Sequence, residues 1–233
     1  MWINKKVVKA KFLRRPNRFQ AYVKLENQEI EECVHVPNTG RCKEILIAGA
    51  KVILREELNP ARKTRYDLIA VYKGSKLINI DSQIPNKVVD EALRLNNIEG
   101  LEKYDIIERE KTFGNSRFDF KLKSSKDMKE YYLEVKGVTL EENGHAMFPD
   151  APTERGRKHV IELEQVLRHG KGAGILFLIQ MEDVNNFSPN DITDVKFADS
   201  LRHAYNCGVQ VMAYACKTTE RSITLNERVQ VIL

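Results

Sequence analysis

Cysteine is sparse in this chain and falls into no pattern. The four that occur, Cys33, Cys42, Cys207 and Cys216, make no Cys-x-x-Cys pair, and no histidine sits at zinc-finger spacing. That excludes a finger- or ribbon-type zinc module. Four free thiols are expected, with a Cys33–Cys42 or Cys207–Cys216 bridge left open by the sequence alone. Long apolar runs are missing too. Those that occur, such as Ile175-Leu176-Phe177-Leu178-Ile179, are strand-sized, so no membrane-spanning helix and no membrane partner are expected. Met1 to Lys6 lacks the apolar core of a signal peptide, which points to the cytoplasm. No low-complexity tract argues for disorder. No helix-turn-helix pattern supports a sequence-reading repressor.

What is present suits one large or two small folded domains: 233 residues, of which 42% are hydrophobic. The formal charge is +5, and it is unevenly spread. Residues 1–65 hold 15 Lys/Arg against 7 Asp/Glu, whereas residues 66–233 hold 23 against 26. The basic excess is confined to the N-terminal part, the footprint of a face that meets a polyanion.

Residues 6–81 read as short strands: Val7–Leu13, Gln20–Leu25, Ile30–His35, Lys51–Glu56, Leu68–Tyr72 and Lys76–Asp81. The breaks between them include Arg14-Arg15-Pro16-Asn17, Glu26-Asn27 and Pro37-Asn38-Thr39-Gly40. Short strands with one helical turn near Arg41–Leu46 suit a small OB-like barrel, a fold that often holds single strands on basic and aromatic side chains. Arg14, Arg15 and Arg18 at the first turn are candidate phosphate ligands, interleaved with Phe12, Phe19 and Tyr22. Asn38, Thr39 and Arg41 form a second candidate set, in a turn where Gly40 is expected to supply a positive φ.

A boundary is expected at Ser82–Asn86, dividing residues 1–82 from residues 83–233. A helix follows over Lys87–Asn96, with Val88, Val89, Ala92 and Leu95 apolar and Glu91 on a more polar side. Strands are expected at Asp105–Thr112, from Arg117, and across Tyr131–Val138. A helix from Asp150 or Thr153 to about His169 carries Arg155, Lys158 and His159 in its first turns. The fully apolar Gly174–Gln180 reads as a strand covered on both faces. Asp191 and Asp194, just before a helix near Val195–Asn206, read as capping or turn residues rather than ligands.

The chemistry concentrates between Arg117 and Val138. Alternation puts Phe118, Phe120 and Leu122 on one face and Arg117, Asp119 and Lys121 on the other. On the next strand it puts Tyr131, Leu133 and Val135 opposite Tyr132, Glu134 and Lys136. Paired as a hairpin, the two half-buried strands bring Asp119, Glu134 and Lys136 together. Two carboxylates hold a hard cation, Mg²⁺ or Mn²⁺, and a lysine orients water, as metal-assisted phosphodiester cleavage requires. An exposed cross-strand ion pair is the ordinary alternative. A helix, three antiparallel strands bearing Asp and Glu-x-Lys, a helix and a further strand match the core plan of the PD-(D/E)xK nucleases. That plan adds Glu91 as an outer carboxylate and the Val135 carbonyl as a third metal ligand.

Five strings sharpen this reading: Phe12 to Phe19, Val36 to Arg41, Ser116 to Asp119, Leu133 to Leu140 and Phe148 to Gly156. Together they make the chain resemble the sugar fermentation stimulation protein A (SfsA) family over nearly its whole length. The resemblance implies an N-terminal OB-like small β-barrel and a C-terminal PD-(D/E)xK nuclease-like mixed-sheet α/β domain. It also implies sequence-nonspecific DNA binding and a link to sugar, particularly maltose, metabolism. A metal-dependent nuclease using Asp119, Glu134, Lys136 and Glu91, with Arg155 and Lys158 on the phosphate, is the first expectation. A non-catalytic DNA-binding regulator is the second. RNA remains open as the nucleic acid, and paired carboxylates in a sugar hydrolase would leave the basic N-terminal part without a purpose.

Overall fold

The computed structural model describes residues 1–26 and 30–233; the expected break at Asn27 lies outside the described residues. Six strands form the first sheet: β1 (Val7–Asn17), β2 (Gln20–Leu25), β3 (Glu31–His35), β4 (Lys51–Glu56), β5 (Tyr66–Lys73) and β6 (Lys76–Asn79). Their order is β3-β2-β1-β4-β5-β6, and a β3–β5 bridge at His35 and Asp67 closes the first five into a barrel. Inward positions alternate as the pleat demands: Ala10 and Phe12, Ala21 and Val23, and Val34 are all buried. Burying a side chain such as Phe12 contributes roughly 1.5–3 kcal/mol.

Arg14 to Asn17 proves to be the end of β1 rather than a break. Register shifts between Phe12 and Arg14 and between Arg14 and Asn17 loosen the pairing there. Pro16 is tolerated in a strand at such an irregularity. Gly40 has no positive φ; the left-handed residue of that loop is Cys42, at φ 45°.

The second part begins with α1 (Ile84–Arg94), then β7 (Ile106–Phe113), β8 (Ser116–Lys123), β9 (Glu130–Val138), β10 (Leu140–Glu142) and β11 (His145–Phe148). It continues with α2 (Glu154–Arg168), β12 (Gly172–Ile179), β13 (Asn186–Pro189), α3 (Asp191–Asn206), β14 (Gln210–Thr218), β15 (Ile223–Arg228) and β16 (Gln230–Val231). The main sheet runs β15-β14-β12-β9-β8-β7, with β9, β12 and β14 parallel and the outer pairs antiparallel. Helix α1 lays Ile84, Val88, Val89 and Ala92 on one face, against Phe120, Leu133 and Leu176. Val160 and Leu163 of α2 and Phe197 and Leu201 of α3 cover the other, against Ile175 and Phe177. Thr153 caps α2 by accepting from the Gly156 N–H, and Asn190 caps α3 by accepting from Thr193. Asp194 caps in turn, accepting from Phe197 at a kink inside α3.

Two expectations about the central strands change. β9 is buried on both faces, because a helix covers each side of the sheet. Phe118 also parts from Phe120 and Leu122: it packs on the α2 side against Tyr132 and His159, while they pack toward α1. The pleat is interrupted at Asp119, opposite which Glu110 of β7 has a φ of 52°.

A second, four-stranded sheet, β10-β11-β13-β16, has no counterpart in the expectations from sequence. Its hairpin turn is Asn143-Gly144, both at positive φ, 52° and 82°, as a two-residue turn of the primed type requires. The two parts of the chain are stitched together at β12. Asn79 N–H donates to the Gln180 carbonyl, and Gln180 Nε2 donates back to Asn79 Oδ1 and the Asp81 carbonyl. The first residues reach across too: Trp2 bridges to Ser222, and the Met1 amine donates to the Ile223 carbonyl.

Candidate active site

Strands β8 and β9 pair from Lys123 and Glu130 as far as Phe120 and Leu133, and no further. Beyond that point they fork. The Val135 N–H, left without a strand partner on that side, donates instead to Asp119 Oδ2 at 2.8 Å. The other carboxylate oxygen, Oδ1, accepts from Asn86 Nδ2 in the first turn of α1, at 2.6 Å. Asp119 is thereby oriented from both sides of the fork.

Glu134 lies on the α2 side of β9 and is buried. Its Oε1 accepts from Lys136 Nζ at 2.6 Å and meets His159 Nδ1 at 2.5 Å. Its Oε2 is buried and, among the described residues, has no hydrogen-bond partner. Burial opposes ionisation of Glu134, but the His159 hydrogen bond and the Lys136 charge outweigh it and hold the carboxyl below its usual range. Asp119 goes the other way: burial, and then the neighbouring Glu134 charge, push its carboxyl up. A carboxyl raised by its neighbour's charge, beside a carboxylate with an orphaned oxygen, fits a divalent cation. The two carboxylates offer oxygen donors, which suit a hard ion such as Mg²⁺ or Mn²⁺. The residues that would hold it are Asp119 and Glu134.

The other predicted residues divide. Glu91 is not brought to the cluster; its carboxylate pairs with the Met1 amine at 2.5 Å. Five positions separate it from Asn86, about 140° around a helix, so the two cannot serve one site. Val135 engages Asp119 through its amide. Arg155 and Lys158 stand exposed in the first turns of α2, and Lys158 Nζ donates to the Asn115 carbonyl at 3.3 Å. His159 has no role in the expectations from sequence, yet it is the helix residue that reaches Glu134.

On the barrel, the structure separates positioning residues from free ones. The Arg15 guanidinium donates to four carbonyls, those of Arg18, Asn38, Gly40 and Arg41, and so ties the first turn to the 38–41 loop. Asn38 is equally internal, accepting from the Gly40 N–H and donating to the Ile80 carbonyl. Arg14 pairs with Glu31 and lies 4.1 Å over the Tyr22 ring. Arg18, Thr39, Arg41 and Lys43 remain exposed around a groove of about 610 Å³. Thr39, Gly40 and Ala151 are shared between that groove and a second one of about 330 Å³, which reaches Gly137, next to Lys136. The two grooves therefore join into one track that runs from the basic barrel face to Gly137.

A closed OB barrel joined to a mixed-sheet α/β domain that carries Asp119, Glu134 and Lys136 defines the class. Residues 83–222 match the family described as "Sugar fermentation stimulation protein RE domain", and residues 13–80 match "SfsA N-terminal OB domain". The chain belongs to the sugar fermentation stimulation protein family. It is 62% identical to a sugar fermentation stimulation protein homolog of Clostridium tetani and 61% identical to one of Clostridium perfringens, each over the full length of both chains. The structure of Pyrococcus furiosus SfsA in complex with Ca²⁺ superposes with a TM-score of 0.88 at 31% identity, again covering all of both chains.

Proposed function

We propose that this protein binds DNA without sequence preference and cleaves phosphodiesters at Asp119, Glu134 and Lys136 with Mg²⁺ or Mn²⁺. The observation that carries the reading is the buried, unpartnered Glu134 Oε2 beside a carboxylate whose ionisation is disfavoured. The Ca²⁺ complex of the Pyrococcus furiosus relative supports it, since Ca²⁺ also takes oxygen donors. When bound, the cation supplies positive charge against the reacting phosphate and acidifies adjacent water. Asn86 and the Val135 amide aim Asp119, while His159 holds Glu134. Lys136 spends one of its three protons on Glu134, leaving others to orient the attacking water. Arg155 and Lys158 meet the phosphate from the start of α2. Arg18, Arg41 and Lys43 hold the backbone along the barrel groove, with Phe19, 52% exposed, available to stack on a base.

One observation favours the second reading, a non-catalytic DNA-binding regulator of sugar metabolism: Lys136 and Glu134 already form an ion pair. The test is incubation of the pure protein with labelled single- and double-stranded DNA and RNA, with Mg²⁺, Mn²⁺ or EDTA. Cation-dependent cleavage is expected. Asp119→Asn should lower it at least about 100-fold while DNA binding persists, since even indirect supports of a metal site cost 10–100-fold. Lys136→Ala should keep cation affinity and lose rate. Wild type that binds DNA but leaves every substrate intact decides for the regulator.

A further inference from the structure

Glu164 is a buried carboxylate on the face of α2 that packs against α3, 6% exposed, and among the described residues it accepts no hydrogen bond. Among the described residues, His203 Nε2 faces it, 3.6 Å from Glu164 Oε2, too far for a hydrogen bond. A carboxylate at that depth gains when a cation meets it. Cys207 lies one turn beyond His203 on α3, with its Sγ 3.7 Å from the same Nε2. The three donor atoms all fall within 4.8 Å of one another.

We infer that Glu164, His203 and Cys207 form a binding site for a borderline-soft divalent cation, zinc above all, that clips α2 to α3. Tetrahedral zinc with one O, one N and one S ligand sets those donors about 3.3–3.6 Å apart, given bonds of about 2.0–2.3 Å. The 3.6 and 3.7 Å separations are already near that spacing. A thiolate and an imidazole select against Mg²⁺, so this donor set is chemically distinct from the all-oxygen pair at Asp119 and Glu134. The last turn of α3 adds its own field, because unpaired carbonyls at a helix C-terminus favour a cation. Binding releases the thiol proton to solvent, and the fourth position stays open to water. His203 and Cys207 are exposed, so the ion enters without local unfolding. His159 and Glu164 are about 140° apart on α2, so one helix serves both sites from different faces.

The probe is Co²⁺ titrated into full-length protein stripped with EDTA. One equivalent should bind with a near-ultraviolet thiolate-to-cobalt band, and Zn²⁺ should displace it where Mg²⁺ does not. Cys207→Ala and His203→Ala should abolish the band, Glu164→Gln should weaken affinity about tenfold or more, and Cys33→Ala and Asp119→Asn should leave it unchanged. Absence of a thiolate band, or its survival in Cys207→Ala, overturns the assignment.

Discussion

Asp119 is placed where its charge is useful and unstable at once. A carboxyl whose folded-state value is raised favours folding while protonated, and that contribution disappears as pH rises through the folded value. The cation-free protein should therefore be less stable at neutral pH than its Asp119→Asn variant, in which Asn86 can turn its amide oxygen toward the new side-chain NH₂. Thermal midpoints of EDTA-treated samples should differ most above the ordinary carboxylate range, about pH 4, and converge below it. Mg²⁺ should then raise the wild-type midpoint and leave the variant's nearly unmoved. An equal response to Mg²⁺ in both proteins would remove Asp119 from the ligand set. Asp119, Glu134 and Lys136 stand out in the sequence as an Asp and a Glu-x-Lys on neighbouring strands, although the alternation expected from Phe118 to Leu122 does not hold at Asp119. Asn86 and His159 are not, since their partners lie 33 and 25 positions away and neither residue type announces such a contact. Glu91 misleads because a carboxylate on the correct helix says nothing about which face it occupies.

Among the elements, the closure of the barrel rests on one charged centre. Asp67 of β5 receives hydrogen bonds from Arg55 of β4, from Arg62 and from His35 of β3. Burial works against its ionisation, yet those partners outweigh it and hold the carboxyl at about 2. A depressed carboxyl contributes stability above its unfolded value, near 4, and that contribution is lost as pH falls toward about 2. Asp67→Ala should cost about 1.5–3 kcal/mol, because the partly exposed Arg55 and Arg62 lose a hydrogen-bonded counter-charge and keep only Glu57 and Asp81. Chemical denaturation at pH 7 measures the loss, which should shrink in acid; a cost below about 1 kcal/mol would reduce Asp67 to an ordinary surface pair. Most elements can be anticipated from their periodicity, including the buried β12 and the capped α2. The small sheet cannot, since β10, β11, β13 and β16 are four residues or shorter and its pairings beyond the β10–β11 hairpin are distant in sequence. Its one local signal is Asn143-Gly144, a turn dipeptide with too little strand on either side to stand out.

At the level of the whole molecule, charge asymmetry locates the basic groove but not its working residues. Arg15 and Asn38 hold the loop that the groove is built from, so they act on shape rather than on phosphate. Replacing Arg18, Arg41 and Lys43 together by alanine should flatten the salt dependence of DNA binding by about 0.7–0.9 unit for each phosphate that is no longer neutralised. Arg15→Ala should instead lower the thermal midpoint. Fluorescence anisotropy across a salt series separates the two, and an unchanged slope in the triple variant would move the interface elsewhere. The stitch between Asn79, Asp81 and Gln180 adds a kinetic consequence. Barrel and sheet share one backbone and two side-chain hydrogen bonds at their junction, so the track between them exists before any nucleic acid arrives. Encounter then needs no hinge to shut, and the association rate should be governed by electrostatic steering alone, fast at low ionic strength and falling smoothly as salt is added.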